Sequence, residues 1–137
     1  VMLKLIVGVN GTGKTKVLVK MVNDAVDASS GAVVCIEKGT NLRFDVKHEA
    51  RLINTNDYCI FDAQSLFGFV SGILASNHDV TEIFIDGTLR ICERNIEAFE
   101  KMIIELDELS EKLGVKIVAT VSMPTETASD TVKKFMI

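Results

Sequence analysis

The sequence predicts an α/β fold of three layers, a mostly parallel sheet flanked by helices. Three observations carry this. Gly8-Val9-Asn10-Gly11-Thr12-Gly13-Lys14-Thr15 matches G-x-x-x-x-G-K-[ST] between a short apolar segment and an amphipathic one. Ala32-Val33-Val34-Cys35-Ile36 and Val115 to Ser122 are apolar runs with little polar alternation, as suits strands buried on both faces. Helical periodicity separates such runs, and the alternation of the two patterns is that of strand-crossover-strand units.

Leu3-Lys4-Leu5-Ile6-Val7 is the first predicted strand. The glycine-rich stretch after it suits anion binding, because successive backbone N–H groups curl around phosphate oxygens only where no Cβ obstructs them. Gly8, Asn10, Gly11, Thr12, Gly13, Lys14, Thr15 and Lys16 are the expected nucleotide-binding residues. Lys14 is expected to reach the β- and γ-phosphates, and the Thr15 hydroxyl to meet Mg²⁺. Val17, Leu18, Met21, Val22, Ala25 and Val26 recur at helical spacing, so a helix is predicted from Lys14 to Ala28, closed by Ser29-Ser30-Gly31. Its N-terminus points at the phosphates, where its dipole favours negative charge.

The second strand ends at Glu37, on the sheet edge where open α/β sheets bind ligands. Leu42, Phe44, Val46, His48, Ala50 and Leu52 then alternate with charged residues, which predicts an extended segment with one buried face and a half-buried His48. Asn54-Thr55-Asn56-Asp57 is a turn cluster, and Tyr58 to Phe61 reads as a short strand. Asp62 is the predicted N-cap of a helix running to Leu74 or Ala75, inside which Gly68 and Gly72 would allow close packing on the sheet. Glu82-Ile83-Phe84-Ile85-Asp86 is an apolar strand ending in aspartate. After a phosphate loop, that carboxylate is the expected second holder of Mg²⁺. Ile96 to Leu113 is an amphipathic helix ended by Gly114, the Val115 strand offers the hydroxyl of Thr120 or of Ser122 at its end to sense a γ-phosphate, and Thr131 to Ile137 reads as a last strand. Arg90 and Arg94 read first as surface arginines, with contact to a phosphate or to a neighbouring subunit as the alternatives.

The 137 residues are expected to form one domain, residues 1–137. A net charge of −4 provides no basic field for nucleic acid. Cys35, Cys59 and Cys92 form no C-x-x-C pair, so neither a zinc ribbon nor a disulfide framework is expected, and Cys35 reads as core. No apolar run is long enough for membrane insertion, and a cytoplasmic protein is expected.

These motifs resemble the P-loop NTPase superfamily. A closer similarity is to the motor domains of twitching-motility and type II secretion ATPases, carried by Ile36-Glu37, Leu52-Ile53-Asn54, Phe84 to Arg90, and Ala119-Thr120-Val121-Ser122. Those stretches fall in the family's order within roughly residues 3 to 122. Gly87 stands where the family has a catalytic glutamate, and Ser122 where it has histidine. The resemblance implies the P-loop NTPase fold, an ATP cofactor with Mg²⁺, and a homo-oligomer or larger protein assembly as partner. With Gly87 in place of the glutamate, Glu37 is the expected residue to orient the attacking water, with Lys14 as its catalytic companion. No Asn-Lys-x-Asp is present to read guanine, which favours ATP. The expected activity is nucleotide binding with weak ATP hydrolysis. The alternatives are a small nucleoside or metabolite kinase and a nucleotide-dependent switch subunit.

Overall fold

A computed structural model describes residues 2–137. Five strands, β1 (Leu3–Gly8), β2 (Ala32–Glu37), β3 (Arg51–Asn54), β4 (Val80–Ile85) and β5 (Lys116–Ser122), pair in the order β1-β5-β4-β2-β3. Every pairing between them is parallel. Helices α1 (Lys14–Ala28), α2 (Ala63–Ser76), α3 (Thr88–Ile91), α4 (Ile96–Leu113) and α5 (Asp130–Phe135) complete the elements.

Alternate residues of each strand face opposite layers, as the pleat requires. Val33, Cys35, Phe84 and Val118 pack against Leu18, Val22 and Ala25 of α1. Val34, Ile36, Ile83, Ile85 and Ile117 pack with Leu66 and Val70 of α2, Phe99, Met102 and Leu106 of α4, and Val132 and Phe135 of α5. The apolar runs thus lack polar alternation because both faces are covered.

The capping signals act locally. Asp62 Oδ1 accepts from Ser65 N while Ser65 Oγ accepts from Asp62 N, a reciprocal cap for α2. Asn95 Oδ1 accepts from Ala98 N at 3.1 Å to start α4, and Gly114 (φ 68°) ends it in the left-handed region.

The structure corrects the expectations for several segments. Residues 42–50 do not extend; they form consecutive turns, with Val46 N bonding Leu42 O and Ala50 N bonding Lys47 O, both at 3.0 Å. Apolar residues at 42, 46 and 50 satisfy period four as well as period two, and these three are the buried ones. Phe44 is 86% exposed and the His48 side chain 95%, so His48 is no packing residue. Asn23 ties this stretch to α1 by bonding Asp45 O and Lys47 N. Thr55–Tyr58 is a 3-10 turn, and residues 58–61 form no strand. Gly68 and Gly72 allow no close approach, since an added Cβ at either would meet nothing within 4 Å. The C-terminal segment is α5, followed by one parallel bridge between Leu5 and Met136, rather than a strand. Ser129 Oγ caps that helix, and Val132 and Phe135 bury its apolar side.

Candidate nucleotide site

The strand order determines which residues meet. β5 lies between β1 and β4, so the loop after β1 faces the residues after β4 across the end of β5. A cleft of about 480 Å³ opens there, lined by Gly13, Lys14 and Thr15, by Asp86 and Gly87, and by Thr120 and Ser122. Asn10, Gly11 and Lys16 also line it.

Gly11 and Gly13 both have φ 85°, where a Cβ is strained. Gly8 has a different constraint: a Cβ there would come within 2.7 Å of Thr12 Oγ1. Thr12 Oγ1 donates to Val9 O at 2.8 Å, and Lys14 Nζ donates to the same oxygen at 2.9 Å. Gly13 is the N-cap of α1, with no side-chain capping bond and no acidic residue in the first turn. The first N–H groups of a fifteen-residue helix therefore stand without a side-chain acceptor at the cleft, under the positive end of the dipole.

Across the cleft, the Thr15 hydroxyl donates to Asp86, at 3.1 Å to Oδ1 and 3.4 Å to Oδ2. Thr120 Oγ1 donates to Asp86 Oδ1 at 2.8 Å and accepts from Gly87 N at 2.8 Å. Thr120 is 2% exposed, and its hydroxyl is committed to holding the end of β4. That bonding role was not legible in the sequence, because it depends on β5 lying beside β4. Gly87 adopts φ 67°, the left-handed N-cap of α3.

Glu37 lies at the end of β2 and is 2% exposed. Its two oxygens accept from Asn41 N and Leu42 N, both at 3.1 Å, so it fixes the start of the 41–46 turns. Burial pushes its carboxyl above the ordinary value. The N–H groups of Leu42 and Asn41 pull it back, Asp86 pushes it up and Arg90 pulls it down. Glu37 is thus electrostatically coupled to Asp86, although it does not line the cleft itself. Arg90 and Arg94, read from the sequence as surface residues, both line the cleft. Arg90 Nη2 donates to Lys38 O at 3.3 Å.

The donor set fits a hard divalent cation held jointly with phosphate. Two neighbouring oxygens of an octahedral Mg²⁺ lie ~3.0 Å apart at the usual Mg–O distance of ~2.1 Å. The Thr15 hydroxyl and Asp86 Oδ1 are 3.1 Å apart. Among the described residues no cluster of three or more His, Cys, Asp or Glu could hold a metal. One hydroxyl and one carboxylate leave most of the coordination to phosphate and water, which is how Mg²⁺ is usually held.

No protein-family model and no curated protein matches this chain. Solved structures do. A KaiC-like protein, PH0186, from the hyperthermophilic archaeon Pyrococcus horikoshii OT3 superposes with a TM-score of 0.70 at 16% identity, over 98% of this chain and 67% of its own. PCH-2 of C. elegans superposes with a TM-score of 0.56 at 16% identity, over 98% of this chain and 33% of its own. The chain therefore spans only a third of that second protein. At such identity the likeness establishes fold: the chain has the three-layer α/β fold of P-loop NTPases, its sheet all parallel. Resemblance to twitching-motility motor domains is carried only by the sequence stretches named above. No helix among the described residues is long and apolar enough to cross a membrane.

Proposed function

We propose that this chain binds Mg-ATP in the cleft between the loop after β1 and the end of β4, and hydrolyses it slowly. The observation that carries the reading is the meeting of an uncapped helix N-terminus, Lys14, Thr15 and Asp86 in one cleft. Lys14, Lys16, Arg90 and Arg94 outnumber the single carboxylate there, in a chain whose net charge is −4. A local positive field of this kind attracts a polyanion.

In this reading the backbone N–H groups from Asn10 to Thr15 cradle the phosphates. Lys14 turns from Val9 O to a phosphate oxygen, and Thr15 with Asp86 holds the cation. When bound, Mg²⁺ neutralises charge on the phosphate oxygens. An adjoining groove of about 390 Å³ shares Gly13 and Lys14 with the cleft and is walled by Val9, Val17 and Pro124. Such an apolar surface beside the loop suits a nucleoside. Glu37 is the residue proposed to orient water, since each of its oxygens keeps a second lone pair beyond its backbone bond. Hydrolysis is slow because Gly87 follows Asp86 and no carboxylate stands beside the metal position.

A thermal-shift panel of nucleotides, with and without Mg²⁺, tests this. At 100-fold over Kd, Mg-ATP or Mg-ADP stabilises the fold by about 2.7 kcal/mol, a melting shift of several degrees. Lys14→Ala lowers affinity by about one to two decades through loss of a charge-assisted bond, without lowering the melting temperature of the free protein. Absence of any shift with millimolar Mg-nucleotide overturns the reading.

A further inference from the structure

Of the four cations in the cleft, Lys14 bonds Val9 O and Arg90 bonds Lys38 O, while the side chains of Lys16, in the first turn of α1, and Arg94 bond neither backbone nor carboxylate among the described residues. The Arg94 guanidinium has no hydrogen bond or ion pair among the described residues, yet it lines the same cleft as Thr15 and Asp86. Its backbone is held firmly. Glu93 (φ 55°) and Arg94 (φ 58°) are consecutive left-handed residues, a strained arrangement for side chains that carry a Cβ. Three bonds close the turn: Glu93 N to Arg90 O at 3.1 Å, Arg94 N to Leu89 O at 2.8 Å, and Asn95 N to Cys92 O at 3.1 Å. Ile91 and Cys92, each 1% exposed, anchor it on one side. On the other, Asn95 caps α4. The chain thus spends strain on a fixed turn that presents an unpaired guanidinium to the cleft.

We propose that Arg94 reads the terminal phosphate of a nucleoside triphosphate bound within its own chain, and so makes the site prefer triphosphate over diphosphate. This rests on the nucleotide site proposed above. The loop after β1 and the α1 N-terminus engage the phosphates from one wall of the cleft, whereas Arg94 belongs to the turn between α3 and α4. A diphosphate filling the loop leaves Arg94 to solvent. A third phosphate extending past Lys14 toward Asp86 gives the planar guanidinium two oxygens to bind in parallel. An arginine supplied by a neighbouring subunit is then unnecessary for recognition of the third phosphate.

Calorimetric titration of the full chain with Mg-ADP and with a non-hydrolysable imido analogue of Mg-ATP tests this, in wild type, Arg94→Ala and Arg94→Lys. Arg94→Ala should weaken the triphosphate analogue by about 10-fold or more and ADP by less than about 3-fold. Arg94→Lys, which keeps the charge but not the planar fork, should fall between them. Equal weakening of both nucleotides by Arg94→Ala, or an unchanged triphosphate affinity, overturns the assignment. A wild type that binds both nucleotides while Arg94→Ala changes nothing overturns only the role of Arg94. A wild type that binds neither overturns the nucleotide site and this role with it.

Discussion

The Thr15 hydroxyl and the Asp86 carboxylate, 71 positions apart in the chain, lie 3.1 Å apart in the fold. Thr15 stands in the first turn of α1, after the β1 loop, and Asp86 just beyond the end of β4, and Thr120 on the intervening strand holds the carboxylate in place. The pair brings an oxygen from each half of the chain to one point.

Asp86→Asn tests whether that point is the cation position. The neutral amide removes charge without removing bulk, so the Mg²⁺-dependent part of nucleotide affinity should fall by about 10-fold or more. Affinity without Mg²⁺ should hold. Parallel titrations with the metal and with a chelator read the difference, and an equal fall in both places the cation elsewhere.

Glu37 gives the fold a dependence on pH with a definite sign. Burial raises its carboxyl above the ordinary value despite the bonds from Leu42 and Asn41. The folded chain therefore keeps this proton at pH values where the unfolded chain has lost it. The contribution of Glu37 is greatest below the unfolded value and is lost as pH rises through the folded one. Glu37→Gln does not titrate there. Denaturation of both proteins from about pH 4 to about pH 7 should show wild type losing stability relative to the variant. A constant difference would mean that the carboxyl is not raised. The same variant removes the proposed water-orienting group, so ATP turnover should drop with it.

Gly68 and Gly72 stand in α2 with open space where a Cβ would go. Gly68→Ala and Gly72→Ala should each stabilise the protein by about 0.5–1 kcal/mol by restricting the unfolded chain and improving helix propensity. Gly31 provides the contrast. A Cβ there runs into the Asp79 carbonyl oxygen and the Thr81 methyl, so Gly31→Ala should destabilise. Melting curves of the three variants check the opposite signs, and a loss of stability in the helix variants would mean that α2 packs more closely than its open glycine positions indicate.

The glycine-rich turn before α1, the span of α1, the Asp62 cap and the buried strands were legible in the sequence because each depends on residues close together in the chain. A loop of backbone N–H groups needs only its own glycines, a helix face repeats every few residues, and a strand covered on both faces shows itself by lacking polar alternation. Tertiary structure decided what distant residues do. Leu42, Val46 and Ala50 fit two periods equally, and only contact with α1 and β2 selected turns over an extended segment. Thr120 became the partner of Asp86 because β5 was inserted beside β4, and strand order is a long-range choice. Arg94 entered the cleft through a left-handed turn that no local preference of Glu-Arg would select. Glu37 turned its oxygens to Asn41 and Leu42 because a buried carboxylate must find donors, and the nearest were the N–H groups of the loop folding back over it.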